Sequence, residues 1–522
     1  MTAATSTPVR HRSPRVTWAV PRGARLLRVE LLRSAMPWIL PLIAALFWFD
    51  SYRPSTATAP LYGVRTFWNM GQGHTISDCG PFVAGVAAWM GSRDARRGLA
   101  DLVTATARPR WAAQLVTWAA TAIWAVAAYL LFACVMFASY AREGVGGTPP
   151  WWWVAVGATA VIAFSAAGFA VGAYWPSRFA AAVAAFGAAI AMYLSFQIGF
   201  SHASGWALIL PTNSNGNFDG SALTDAGIFY RWLPDLPIAR MMFLAGIAMA
   251  ALGLTGLPGR AGGRRLRLGA AAVTLAGLTL AGTAVGLVRT ADVTAHGVVI
   301  PALHDSSSDT PISYTPACGR AAGVAVCLNP AYRRWLPDVT AALAPVLAEV
   351  AGLPGAPVRA TQVPAAYAGG SLVITMGGHP TVLHLSLGQL NLPGPCGFCA
   401  GPVAANQFIG WIRLLFAQSF VGAGQGAGRP AQQAVGAVLL RGAGIPFAAQ
   451  PGLMASAENF AGPVSAGCPA DTKTGCGPGP STGAVYAAAG RLAAMPATAR
   501  RAWLAGHLAG VRAGRVALRD LP

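Results

Sequence analysis

Long stretches without a charged residue fill residues 37–290, and they constrain the fold more than any other feature of this chain. A helix needs about 20 mostly apolar residues to cross the hydrocarbon core of a bilayer. The sequence therefore predicts an α-helical polytopic membrane domain over residues 37–290, with six or seven transmembrane helices. The seven predicted spans lie near residues 37–50, 76–91, 112–138, 151–175, 179–200, 238–257 and 268–288.

The composition changes near Thr290, which indicates a second domain. The whole chain is 54% hydrophobic and only 10% charged, which is too apolar for one soluble fold of 522 residues. Residues 291–522 nevertheless have an ordinary globular mixture of residues. At the other end, residues 1–36 are predicted to form a cytoplasmic N-terminus whose segment 22–36 is an amphipathic helix at the membrane interface.

The arginines predict the orientation of the chain. The net charge of +20 does not indicate nucleic-acid binding, because the basic residues lie in short clusters between the apolar stretches. With the N-terminus in the cytoplasm, seventeen arginines fall in cytoplasmic segments and six in outer segments, as the positive-inside rule requires. An odd number of spans then places residues 291–522 outside. We therefore predict a multi-pass cell-membrane protein whose first partner is the lipid bilayer, with no nucleic acid.

Six of the eight cysteines lie after Thr290, in the part predicted to be extracytoplasmic. An even number of cysteines in an oxidising compartment indicates disulfides. The six cysteines are Cys318, Cys327, Cys396, Cys399, Cys468 and Cys476. Fifteen connectivities are open for six cysteines, and we favour the three between sequence neighbours. The close spacing of Cys396 and Cys399 leaves a redox-active dithiol, or half of a zinc site, open as alternatives.

A polar segment between the second and third predicted spans is the main candidate for binding a partner. It carries mixed charges and has the pattern of a short helix that ends near Pro109, because the residue before a proline disfavours helical conformation. Such a loop can dock a soluble protein, and simple attachment to anionic headgroups is the equally open alternative. The residues assigned to docking are Arg93, Asp94, Arg96, Arg97, Leu99, Asp101, Arg108 and Arg110.

His74 and Asp78 form a candidate polar pair at the outer interface. They lie four residues apart where the second span begins, so a helix would place them one turn apart. Ionisable groups at bilayer depth are costly and are often functional. The simpler alternative is that both side chains face water at the membrane surface.

Residues 291–522 are predicted to be an α+β domain with disulfides. Short apolar or alternating runs predict strands at 298–303, 323–328, 372–376 and 381–387. Helical patterns follow at 331–351, 403–419, 430–441, 482–494 and 497–512. The run 479–483 matches Gly-x-Ser-x-Gly, but no predicted strand precedes it, and Ser481 has the position of a helix cap. We assign no catalytic, cofactor-binding or metal-binding residue.

The order of these features resembles the permease subunits of bacterial ABC exporters of the type-2 class. The resemblance rests on the arginine-rich helix, the first span, the run Pro81–Gly98, the turn Thr106–Trp111 and Pro176-Ser177-Arg178. In that family the loop after the second span is a coupling helix that contacts a separate ATPase. The resemblance therefore implies an ATPase partner for residues 92–110, and a second copy or a second permease subunit is a further candidate partner.

The C-terminal domain is similar to an uncharacterised domain found on such membrane proteins. The similarity lies in Cys318, in residues 327–333 and 353–357, and in the ending 502–507. Two features depart from the permease pattern: the family usually has six spans rather than seven, and the second span here is short and polar at its outer end. Relatives of the C-terminal domain often have a histidine where this chain has Asn329.

The leading functional hypothesis is the membrane-spanning subunit of an ABC-type export system. The chain has no GxxxxGK[ST] loop to cradle nucleotide phosphates, so ATP would be hydrolysed by another polypeptide, and the chain itself is not expected to be an enzyme or to need a cofactor. The alternative is a non-transporting protein that displays an extracytoplasmic binding or sensing domain. A hydrolase, or a thiol-disulfide enzyme using Cys396 and Cys399, is least favoured.

Overall fold

A computed structural model describes most of the chain, and the following account concerns those residues. They are residues 22–51, 74–98, 109–144, 146–201, 209–210, 227–257, 264–294, 297–364, 373–387, 405–423, 428–451, 453 and 482–522.

Helices dominate the first 290 residues, and one lies at each predicted span. They are α1 (Arg22–Arg33), α2 (Met36–Ser51), α3 (His74–Gly91), α4 (Arg93–Arg96), α5 (Arg110–Arg142), α6 (Trp151–Tyr174), α7 (Ala180–Ser201), α8 (Asp235–Thr255) and α9 (Arg264–Val288). Among the described residues, α5, α6, α8 and α9 are each long and apolar enough to cross a membrane. The bent pair α1–α2 is a fifth candidate. The apolar described parts of α3 and α7 are shorter.

The predicted interfacial helix ends three residues earlier than expected. α1 stops at Arg33, and the chain bends by 56° before α2 continues. The hydroxyl of Ser34 accepts a hydrogen bond from the backbone N–H of Met36 at 3.3 Å. This bond satisfies one of the N–H groups that the start of α2 leaves without a helical partner, so the bend is built into the local sequence.

Small residues allow the helices to pack closely. A Cβ atom at Gly246 of α8 would lie 2.5 Å from the carbonyl oxygen of Gly277 in α9. Gly168 and Gly172 of α6 similarly face the backbone carbonyls of Ala84 and Ala88 in α3. Small residues four positions apart bring helix backbones together in membranes, where van der Waals packing replaces the hydrophobic effect. α3 is therefore fitted tightly to α6.

The C-terminal domain, residues 291–522, contains a five-stranded mixed sheet in the order β3-β4-β5-β7-β6. A small antiparallel pair, β1 (Asp292–Thr294) and β2 (Gly297–Val299), precedes it. The sheet strands are β3 (Ala317–Ala321), β4 (Val324–Leu328), β5 (Arg359–Gln362), β6 (Val373–Gly377) and β7 (Val382–Ser386). β4, β5 and β7 are parallel, whereas β3 and β6 are antiparallel edges.

Helices share one hydrophobic core with this sheet. They are α10 (Leu336–Val350), α11 (Ala405–Phe420), α12 (Pro430–Gly442), α13 (Thr482–Ala494) and α14 (Ala497–Arg512). Val339, Leu343, Val346 and Val350 recur on one stripe of α10 and are all buried in the shared core, as an amphipathic helix requires. The predicted helices and the strands at 323–328, 372–376 and 381–387 are confirmed within a few residues. The strand predicted at 298–303 is too long, because β2 ends at Val299 and a turn follows. β1, β3 and β5 were not predicted.

The helical part of the chain and the C-terminal domain share contacts near the start of α8. Ile228 and Phe229, which precede α8, are buried in the core of the C-terminal domain. The backbone N–H of Ile312 donates to the carbonyl of Phe229 at 2.8 Å, and the Asn329 side chain donates to the carbonyl of Ile228 at 3.3 Å. The segment before α8 is therefore part of both structural units.

Candidate functional site

The predicted docking segment begins as a one-turn helix directly after α3. Ser92 separates α3 from α4, and its hydroxyl donates to the carbonyl of Ala88 at 2.9 Å. α4 holds Arg93, Asp94 and Arg96, and Arg97 ends it. These charged residues are therefore attached directly to the end of α3, with one intervening residue.

Arg93 ties this segment to the interfacial helix α1. Its two terminal nitrogens donate to the two carboxylate oxygens of Glu30 at 2.9 and 3.0 Å. Both side chains are largely buried, with 15% and 10% of their surface exposed. Burial lowers the pKa of Arg93, but its bonds to Glu30 and the charges of Glu30 and Asp94 outweigh burial, so the net shift is upward. A two-pronged arginine–carboxylate pair of this kind fixes orientation as well as distance.

Arg96 is fixed on the other side of the segment. Its guanidinium carbon lies 3.3 Å from the ring centre of Trp89. It donates to the Trp89 carbonyl at 2.7 Å and to the Ser92 hydroxyl at 3.1 Å. Stacking of a guanidinium on an indole adds a cation–π attraction. The Arg96 side chain is therefore held against the end of α3 rather than projecting freely into solvent.

The structure places only part of the predicted docking set. Arg93, Asp94, Arg96 and Arg97 lie together in one turn, and Arg110 is an exposed residue at the start of α5. Leu99, Asp101 and Arg108 lie outside the described residues. The helix α3 begins at His74 and includes Asp78, but their side chains also lie outside the described part, so their pairing stays a prediction.

A second polar site lies where α8 begins, at the contact with the C-terminal domain. One carboxylate oxygen of Asp235 accepts a hydrogen bond from the backbone N–H of Ile300 at 2.9 Å and lies 3.1 Å from Nδ1 of His304. Nε2 of His304 lies 3.1 Å from the carboxylate of Asp309. The Asp235 side chain is fully buried and the Asp309 side chain is 41% exposed. We call Asp235, His304 and Asp309 the latch.

Sequence reasoning missed the latch. No short sequence motif joins Asp235 to His304 or His304 to the other histidines. Asp235 and His304 are 69 residues apart, so their pairing depends on the tertiary fold. The local signal available was Asp235 at the first turn of an apolar helix, where a carboxylate interacts favourably with the helix dipole.

One predicted disulfide is present. Cys318 and Cys327 are bonded and occupy paired positions on β3 and β4. This confirms one of the three sequence-local pairs. Cys396, Cys399, Cys468 and Cys476 lie outside the described residues, so the other two pairs stay predictions.

Across the described ranges, no group of three or more His, Cys, Asp or Glu side chains is placed to hold a metal ion.

Comparisons with known proteins add no relative to this picture: no protein-family model, curated protein or solved structure matches the chain. What the geometry defines is a mostly helical protein with several helices able to cross a membrane, a small mixed sheet and a disulfide. Within the described part of the chain, its polar sites include the charged turn after α3 and the latch at the start of α8.

Proposed function

We propose that this chain is the membrane-spanning subunit of a bacterial ABC-type export system, and that a separate ATPase docks on residues 92–110. In this proposal seven helices cross the membrane, the N-terminus is cytoplasmic and the C-terminal domain is extracytoplasmic. The observation that carries the proposal is the Glu30–Arg93 pair, because it joins the charged turn to the interfacial helix while the turn itself continues α3.

This arrangement suits the transmission of force. An ATPase that pushes or pulls on α4 would move α3, and α3 is in close backbone contact with α6 through Gly168 and Gly172. Closely packed helices shift as units rather than deforming continuously. A rearrangement at the charged turn would therefore reach the centre of the helical bundle.

At its other end, the helical bundle contacts the C-terminal domain. α8 begins at Asp235, which is bonded to the C-terminal domain through Ile300. α8 packs along α6 and α9. Movement of α6 can therefore reach the C-terminal domain through α8, which supports a role for that domain in gating or receiving the exported substrate.

The test is affinity isolation of the full chain in mild detergent, with identification of co-purifying polypeptides by mass spectrometry. The informative variant is Asp94→Lys combined with Arg110→Glu, since both residues belong to the predicted docking set. Asp94 is 42% exposed on its side chain and its contact with Arg93 is 3.4 Å long, so its replacement should cost the fold little.

The matched control is Asp520→Lys combined with Arg519→Glu, an exposed acid–base pair in the C-terminal domain. The proposal predicts an ATPase subunit with the wild type and the control and at least a tenfold loss of it with the docking variant. If no ATPase is recovered with the wild type, or if both variants retain it equally, the proposal is wrong.

One observation favours the alternative of a display or sensing protein. Ile228 and Phe229 are buried within the core of the C-terminal domain, so the helical part holds that domain in a defined position whether or not anything is transported. In that case the wild type would be isolated without an ATPase, and ligands of the C-terminal domain would be the next subject of study.

A further inference from the structure

A cavity of about 290 Å³ opens beside the charged turn, between α1, α2, α3 and α4. Its volume exceeds that of a single water many times over. Four arginines and two tryptophans supply most of its walls. They are Arg33, Arg93, Arg96, Arg97, Trp38 and Trp89, and we call this space the arginine cavity.

The charged residues that line the arginine cavity are all positive. Among the described residues that line it, none is a carboxylate. Glu30 neutralises Arg93 from outside the lining, which leaves Arg33, Arg96 and Arg97 as the cations facing one space. Burial and then the charge of Arg97 lower the pKa of Arg96. A bound anion would relieve this crowding of like charges.

The surroundings of the cavity are those of a membrane surface. Trp38 of α2 is 87% exposed and Trp89 of α3 is 44% exposed, and the apolar side chains of Leu32 in α1 and Leu42 in α2 are also exposed. Tryptophan is enriched where the hydrocarbon meets the headgroups. A cavity that joins several arginines to exposed apolar surface at the end of apolar helices matches both parts of a phospholipid.

We propose that the arginine cavity binds the phosphate headgroup of an anionic phospholipid, whose acyl chains lie along the exposed face of α2. Guanidinium groups bind phosphate oxygens with paired hydrogen bonds, and basic pockets between membrane helices recognise such headgroups. This inference needs the chain to lie in a bilayer, and it does not depend on an ATPase.

The lipid would have a structural consequence. Arg33 is the last residue of α1, whereas Arg96 and Arg97 belong to the charged turn after α3. α1 is otherwise held by the Glu30–Arg93 pair and by the indole N–H of Trp124, which donates to the carbonyl of Leu31 at 3.0 Å. A phosphate bridging Arg33 to Arg97 would stabilise the 56° bend between α1 and α2.

The test is native mass spectrometry of the purified full-length chain in detergent, titrated with phosphatidylglycerol or phosphatidylcholine. The cavity variant is Arg33→Gln with Arg97→Gln. The matched control is Arg25→Gln with Arg28→Gln, which removes two exposed arginines of α1 that do not line the cavity. At about fivefold for each arginine lost, the cavity variant should bind phosphatidylglycerol about 25-fold more weakly, and the control less than twofold.

Other outcomes would overturn the inference. Equal affinity of the wild type for the two lipids, or equal loss in both variants, would mean diffuse attraction instead of a site. Displacement of phosphatidylglycerol by millimolar inorganic phosphate would identify a free anion as the ligand. The single variant Arg33→Gln controls for misfolding of the double variant, because Arg33 is exposed at the end of α1 and its replacement should leave the fold intact. It must keep the wild-type thermal midpoint and still bind phosphatidylglycerol about fivefold more weakly, and unchanged binding would contradict the proposal.

Discussion

The carboxylate of Asp235 lies 3.1 Å from Nδ1 of His304. Asp235 is the first residue of α8, a helix long and apolar enough to cross a membrane, whereas His304 belongs to the C-terminal domain. The same oxygen accepts the backbone N–H of Ile300. This small buried contact therefore joins α8 to the mixed-sheet domain, and its chemistry leads to two predictions.

The first prediction concerns pH. The hydrogen bond to Asp309 raises the pKa of His304 against the opposing effect of burial, and the charge of Asp235 raises it further. A histidine whose folded pKa lies above its unfolded value of about 6.5 stabilises the fold fully below that value. The contribution is lost as pH rises through the folded pKa. The thermal midpoint of the wild type should therefore fall towards that of His304→Gln as the pH rises above about 6.5, and a constant difference would contradict this.

The second prediction concerns Asp235 itself. Asp235→Ala removes the acceptor of the buried Ile300 N–H, and an unsatisfied buried donor costs about 1–3 kcal/mol. Thermal or denaturant unfolding should show that loss. Asp309→Ala is the comparison, because Asp309 is much more exposed, and it should cost less than Asp235→Ala. Equal costs would mean that the contact with Ile300 contributes little.

A third prediction concerns helix packing in the bundle. A side chain at Gly172 would meet the carbonyl oxygen of Ala88, so Gly172→Val should force α3 and α6 apart and destabilise the protein by about 1–3 kcal/mol. Gly187→Val is the matched control, since nothing lies within 4 Å of a Cβ at Gly187. In thermal unfolding of the detergent-solubilised protein, Gly172→Val should have a clearly lower midpoint than Gly187→Val.

The fourth prediction concerns the disulfide between β3 and β4. Cys318 and Cys327 close a loop with a sequence separation of nine, and constraining a loop of this size in the unfolded chain is worth about 2–3 kcal/mol. Replacing both residues by serine should lower the free energy of unfolding by that amount. A thiol-reactive reagent should label neither cysteine in the wild type before reduction, and labelling without reduction would refute the bond.

Local patterns predicted the helices well and the contacts between them poorly. α5 and α6 are long, apolar and bounded by polar residues or prolines, so length and hydropathy are enough to find them. β3 reads Ala-Cys-Gly-Arg-Ala, and β5 has four residues. Neither has the run of β-branched or aromatic residues that signals a strand.

The candidate sites show the same division. The charged turn could be found because its arginines follow an apolar stretch directly. The attachment of the charged turn to α1 could not be predicted, because Glu30 and Arg93 are 63 residues apart. Each of them also has other charged residues nearby in sequence. The latch depends in the same way on Asp235 and His304 meeting in space, and periodicity along the chain carries no information about such pairs.

The most direct test of the account is the side of the membrane on which its two polar ends lie. An epitope inserted after Gly98, beside the charged turn, and another inserted after Gly323, between β3 and β4, would occupy open turns where nothing lies within 4 Å of a Cβ. In intact spheroplasts an antibody should bind the epitope at Gly323 and should reach the epitope at Gly98 only after permeabilisation. Binding of both epitopes, or of neither, in intact spheroplasts would place the two ends on the same side and contradict the proposed membrane subunit.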